Sequence, residues 1–169
     1  FGYEEAIGFC PDPAHVRDKD GIATSVVAAS LVAALKAQGC SVWDELERLA
    51  RLHGLHVSSP LTFRVEQIEK IASGMARLRA QPPSVLAGSP VVEVSDLSQG
   101  YRGLPPTDGV LVLTEAGDRV IARPSGTEPK LKCYLEVILP VAEGEPLPWG
   151  QARARLDSIK GAFAEIIGL

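Results

Sequence analysis

Arg123-Pro124-Ser125-Gly126-Thr127-Glu128-Pro129-Lys130 links two runs that read as strands, residues 119–122 and 131–139. In the second run Leu131, Cys133, Leu135, Val137 and Leu139 fall on one face, and Lys132, Tyr134 and Glu136 on the other. A period of two with one apolar side predicts a strand that covers a core on one face and is freer on the other. The octapeptide puts a guanidinium, two hydroxyls, a glycine amide and an ammonium into one turn. Each is a donor that a phosphate dianion can use. Arg123 offers a planar fork, and Gly126 lets the backbone N–H approach an anion. Pro124 and Pro129 restrict the loop, so little freedom is lost when the anion binds. An ordinary strand-to-strand turn requires no such set of Arg, Ser, Thr and Lys.

Outward from this loop the pattern continues. Ala116-Gly117-Asp118 reads as a hairpin turn between 119–122 and a strand at 110–114, with another strand at 91–94. Residues 56–63 have strand character. Val65, Ile68, Ala72, Met75 and Leu78 then recur at helical spacing, and Pro82-Pro83 closes that helix. A last helix over 151–167 carries Ala152, Leu156, Ile159, Phe163 and Ile166 on one stripe. The order β-α-β-β-β-β-α predicts an α+β domain over residues 55–169, with a mostly antiparallel sheet and helices on one face. The stretch 95–108 is long for a loop in a compact domain and reads as functional or mobile.

Residues 1–54 form a first region. Its opening stretch, 1–21, is rich in Gly, Pro and charge and reads as loop. Asp20 is placed to cap an apolar helix over 22–37 that Gly39 ends. Ser41 and Asp44 form a capping box for a second helix, with Leu46, Leu49 and His53 on its inner face and Gly54 as its stop. The first helix is apolar nearly all round and so reads as buried. Two helices and a loop cannot cover it. It is expected to be partly exposed in this chain and able to drive self-association. Because the chain opens on Phe1 inside a motif-like segment, it reads as the C-terminal part of a longer protein.

The chain has 169 residues, 46% apolar, with a net charge of −4. That balance argues against a nucleic-acid backbone binder, so the cations that matter act locally. Three widely spaced cysteines, Cys10, Cys40 and Cys133, suggest reduced thiols in a cytosolic protein and not a disulfide frame or zinc site. The most apolar run, 22–37, is short for a bilayer crossing.

Two further clusters lie in the first region. Glu4 and Glu5, on a Gly-bounded loop, can accept hydrogen bonds from paired sugar hydroxyls or stand as a solvated acidic turn. His15-Val16-Arg17-Asp18-Lys19-Asp20-Gly21 sits before a helix N-terminus, where an anion is favoured. A lysine near Arg17 is expected to have a lowered pKa, which suits proton transfer; a mixed-charge surface loop is the alternative. Asp18 and Asp20 are rejected as a metal site, because Lys19 lies between them and Arg17 beside them.

The three clusters in this order resemble the α-D-phosphohexomutase superfamily of phosphoglucomutases and phosphomannomutases. The resemblance spans the chain. It implies the end of a third, α/β domain over 1–54 and a fourth, TATA-box-binding-protein-like domain over 55–169. The form Glu4-Glu5-Ala6 looks more like the phosphoglucomutase-2/phosphopentomutase branch and bacterial relatives labelled phosphomannomutase. By resemblance Arg123, Ser125, Gly126 and Thr127 hold the substrate's non-reacting phosphate, with Lys130 adding charge. Arg17 faces phosphate, Glu4 and Glu5 bind sugar hydroxyls, and Lys19 is the general acid/base. Ala6 stands where many relatives have a sugar-binding Ser, so hexose specificity does not transfer simply. The family's phosphoserine loop and its Mg2+ loop have no counterpart in this sequence, so the chain is expected to be inactive alone. Partners implied are a phosphosugar, a sugar bisphosphate activator and N-terminal domains of the same protein, in the cytoplasm. A phosphopentomutase, a hexose-bisphosphate synthase or a non-catalytic phosphate-binding module are the alternatives.

Overall fold

The computed structural model describes residues 1–4 and 7–168. The chain divides into two compact units, Phe1–Leu49 and Ala50–Leu169.

The first unit opens on a hairpin. Strands Gly2–Glu4 (β1) and Gly8–Cys10 (β2) pair antiparallel, with Tyr3 opposite Phe9 and Glu4 opposite Gly8. The expectation of loop throughout 1–21 is corrected here. Strands of three residues are too short to show alternation, and the Tyr3 and Phe9 rings, 5.4 Å apart, add a contact that spacing does not reveal. Helix α1, Gly21–Ala37, starts where Asp20 Oδ1 accepts the amides of Ile22 (2.9 Å) and Ala23 (3.1 Å). Gly39 ends it in the left-handed region at φ 72°. In α1 Leu35 is buried, while Ile22, Val26, Val27, Leu31 and Val32 are exposed. Helix α2, Val42–His53, opens on the expected capping box. The Ser41 amide donates to Asp44 Oδ2 (2.7 Å), and the Asp44 amide to Ser41 Oγ (3.2 Å). The Ser41 amide first, then the Ser41 hydroxyl donating to Asp44 Oδ2 at 2.8 Å, hold the Asp44 carboxyl below its usual range. The inner face assigned to α2 is corrected: Leu46, Leu49 and His53 are exposed, and the buried position is Ala50. Among the described residues no single helix is long and apolar enough to cross a membrane.

The second unit is α+β. Its strands are Leu55–Arg64 (β3), Val85–Leu86 (β4), Ser89–Asp96 (β5), Val110–Thr114 (β6), Arg119–Pro124 (β7) and Lys130–Leu139 (β8). Among the described residues these six form one antiparallel sheet, in the order β3-β8-β7-β6-β5-β4. β3 is an edge strand, which is why Pro60 fits in its middle without breaking a ladder. Helices Ile68–Ala80 (α3) and Trp149–Ile167 (α4) supply the apolar side chains that meet one sheet face. Leu131, Cys133, Leu135 and Val137 of β8 and Val120 and Ala122 of β7 are buried with Phe163, Ile159 and Leu156 of α4. The stripe of α3 differs from its expected one. Ile68 and Ala72 are exposed, and Ile71, Gly74, Met75 and Leu78 are buried. A buried Gly74 carries no apolar side chain, so the true stripe left a weaker trace in the sequence.

Two polar anchors fix this unit. Arg155 of α4 donates to both oxygens of Asp118, each at 2.7 Å, and Asp118 is fully buried at the β6–β7 turn. Thr114 Oγ1 donates to the same carboxylate at 3.0 Å. Arg79 of α3 bonds Asp96 (3.0 Å) and Asp108 (2.6 Å), so it clamps both ends of the long loop. Inside that loop Arg102 bonds Glu93 of β5 at 3.2 Å. Gly54 sits at φ 93°, and a Cβ there would be 3.2 Å from the Leu139 carbonyl, so packing against β8 accounts for this glycine.

Candidate functional site

The octapeptide spans the β7–β8 connection. Three backbone bonds shape it. The Ser125 amide donates to the Lys130 carbonyl at 2.9 Å, and the Lys130 amide to the Glu128 carbonyl at 2.7 Å. The Val65 amide donates to the Pro129 carbonyl at 3.1 Å, which ties the loop to the end of β3. Arg123, Gly126 and Thr127 are exposed and Ser125 is half-buried. A Cβ at Gly126 would meet no protein atom within 4 Å, so chain packing does not demand glycine there.

Strand register gathers further cations around this loop. Arg123 lies opposite Lys132, and Lys132 opposite Thr62, so the three form one row across β7, β8 and β3. Arg64 lies opposite Lys130 in the next row. In each row the side chains project from the same side of the sheet. Lys130 is paired with Glu128. Lys130 first, then Arg64 and Lys132, hold the Glu128 carboxyl below its usual range. Lys132 and Arg64 were not singled out by sequence reasoning. Alternation already put Lys132 on the open face; its place beside Arg123 depends on register, which only the length of the β7–β8 loop fixes.

In the first unit, the Asp20 amide donates to the Phe9 carbonyl at 2.9 Å, pinning the segment before α1 to β2. That brings Lys19 to the hairpin, where Lys19 Nζ donates to Glu4 Oε1 at 2.9 Å. The pair corrects an expectation. The Glu4 carboxylate, with a smaller contribution from Asp18, raises the Lys19 pKa above its ordinary value. A bonded carboxylate at this distance outweighs a nearby guanidinium. Arg17 is exposed. His15 bonds Asp12 at 2.6 Å. Glu5, and Ala6 beside it, lie outside the described residues.

Asp18 and Asp20 do not fit a metal ion. The Asp18 carboxylate accepts the Lys19 amide at 2.6 Å, and Asp20 is committed to the α1 cap. Among the described residues no three His, Cys, Asp or Glu side chains come together.

A curled antiparallel sheet backed by two helices, with a cationic loop at the β7–β8 end, defines the α+β class of this domain. Residues 61–145 match the family model for the phosphoglucomutase/phosphomannomutase C-terminal domain. A "Probable phosphomannomutase" of Haemophilus influenzae is 41% identical over 136 residues, covering 80% of this chain and 27% of that protein. A phosphoglucomutase of Staphylococcus aureus is 32% identical over 154 residues, covering 83% of this chain and 28% of that protein. Among solved structures, the exocytosis-sensitive phosphoprotein pp63/parafusin, a phosphoglucomutase of Paramecium in its open form, superposes with a TM-score of 0.62. It covers 92% of this chain and 29% of that one at 18% identity, a likeness of fold. The chain belongs to the phosphoglucomutase/phosphomannomutase family and carries its C-terminal domain. It spans little more than a quarter of the length of these curated relatives.

Proposed function

We propose that this chain is the phosphate- and sugar-gripping C-terminal part of a phosphosugar mutase, which interconverts sugar 1-phosphate and 6-phosphate. The observation that carries this reading is the row Thr62–Lys132–Arg123, at the strand ends that the loop 125–129 joins. A phosphate over that row receives the Arg123 fork, the Lys132 ammonium, and the hydroxyls and amides of the loop. None of those groups reads sugar identity. This suits a reaction whose bisphosphorylated intermediate turns over and presents first one phosphate and then the other. Gly126 is explained the same way, as bare backbone that an anion can approach closely.

Sugar recognition falls to Glu4, and proton transfer to Lys19. In the pair both groups are charged. A sugar hydroxyl that donates to the other oxygen of Glu4 takes up part of its charge and weakens its hold on the Lys19 proton, so Lys19 becomes the better partner for proton exchange. Arg17 adds positive charge on the same loop. Attack on the phosphorus and Mg2+ binding belong to segments outside this chain, which by itself binds phosphate without turnover. Phosphoryl transfer is mostly positioning and charge stabilisation, so a grip of this kind contributes to rate as well as to affinity.

The test is turnover of the full-length mutase on glucose-, mannose- and ribose-1-phosphates, with and without Arg123→Ala. Loss of a charged hydrogen-bonding fork is expected to lower kcat/KM by about ten- to a hundredfold on every sugar alike. A loss confined to one sugar contradicts the assignment of Arg123 to phosphate.

A further inference from the structure

Gly8 is a glycine that its own backbone does not require. It lies outside the left-handed region and pairs with Glu4 as an ordinary strand residue. Yet a Cβ at Gly8 would sit 2.6 Å from Glu4 Cγ and 2.7 Å from Glu4 Oε1, and would collide with Lys19 Cδ. Gly2, on the same hairpin, is different: its Cβ would meet Cys10 Cβ at 3.4 Å, an ordinary contact. The room that Gly8 leaves is therefore room for two named side chains. Gly8 itself is buried, while the Lys19 and Glu4 side chains above it are 58% and 47% exposed. Both can swing into solvent. A methyl group at Gly8 therefore costs the fold little, but it moves both groups.

We propose that Gly8 is a positioning residue. Its bare backbone is the floor on which the Glu4 carboxylate and the Lys19 ammonium meet, and it fixes where a sugar hydroxyl is recognised relative to the proton-transfer group. This rests on the reading of Glu4 as the sugar ligand and Lys19 as the proton-transfer group. With Oε1 on Lys19, Oε2 of Glu4 is the oxygen that accepts from a sugar hydroxyl, so the two groups address neighbouring atoms of one substrate. A side chain at position 8 separates them. Its effect falls on the sugar end of the substrate and not on the phosphate held by the Arg123 loop.

The test uses the 169-residue chain, with Gly8→Ala, Glu4→Gln and Gly2→Ala variants and acetic anhydride as the amine probe. Acylation of Lys19 is read by peptide mass spectrometry at mildly alkaline pH. Breaking the pair frees the amine, so Gly8→Ala is expected to raise Lys19 acylation to the Glu4→Gln level, with Gly2→Ala at the wild-type rate. Wild-type acylation in Gly8→Ala overturns the proposal. Thermal melts of Gly8→Ala in the wild-type and the Glu4→Ala/Lys19→Ala backgrounds guard against a folding defect. An equal Tm with and without Gly8→Ala in the doubly trimmed background supports the proposal. A fall there as large as in the wild-type background overturns it, because the strand itself then needs the glycine. In the full-length mutase, Gly8→Ala is expected to raise KM for the sugar phosphate and leave inorganic phosphate inhibition unchanged. If Gly8→Ala separates the pair while Glu4→Gln leaves KM unchanged, the positioning stands and the sugar-site reading is what fails.

Discussion

Cys133 shows how one side chain reports its surroundings. It is completely buried on the inner face of β8, and burial pushes its thiol up to about 12 from 9.0. Folding therefore favours the protonated thiol. The stability this contributes is intact below pH 9.0 and is lost as pH rises toward about 12. Iodoacetamide at pH 8 is expected to alkylate the exposed Cys40 rapidly and leave Cys133 unmodified until the chain unfolds. Early loss of the Cys133 thiol contradicts the register of β8. Lys132, the preceding residue, faces the other way and stands beside Arg123. Lys132→Ala is expected to weaken phosphate binding severalfold, less than Arg123→Ala, because an ammonium is a point charge where a guanidinium is a fork. Isothermal titration with phosphate ranks the two. The contrast between Cys133 and Lys132 was legible in the sequence because a strand's period is two. The Lys19–Glu4 pair was not legible, since it joins residues brought together by the Asp20–Phe9 backbone bond, and no local pattern encodes that bond.

At the scale of elements, α4 is fastened in two ways. Its apolar stripe places Phe163, fully buried, among the side chains of the sheet. Phe163→Ala is expected to cost about 3–5 kcal/mol in urea unfolding. Its outer turn carries Arg155, which neutralises the buried Asp118. Arg155→Ala leaves that carboxylate buried without a partner and is expected to cost about 3–5 kcal/mol. Replacing Asp118 and Arg155 together by apolar residues is expected to cost much less. Equal costs for the single and double changes contradict the pairing. The stripe of α4 was readable because its buried positions bear apolar side chains. The stripe of α3 was misread where Gly74 stands at a buried position without one. Strand β4 has two residues and leaves no periodic trace, although its pairing with β5 lengthens the sheet. Asp118 looked like a turn residue; the partner of its buried carboxylate, Arg155, lies far along the chain.

At the scale of the molecule, the second unit has a continuous core under one face of its sheet and a cationic loop at the β7–β8 end. The first unit has an apolar helix with its long side chains exposed. The order of elements, β4 excepted, and the α+β class followed from alternation, helical spacing and turn residues between 55 and 169. The loop between β7 and β8 was readable because it collects donors that a turn does not need. What sequence alone withheld is the place of Arg64 and Lys132 beside that loop, which arises from the register of three strands. The phosphate grip is the claim on which the rest depends. Titrating inorganic phosphate into the isotopically labelled chain and following amide resonances measures it directly. Saturable shifts at Ser125, Gly126 and Thr127 that disappear in Arg123→Ala are expected. Absence of shifts there, or the same shifts in the variant, contradicts it.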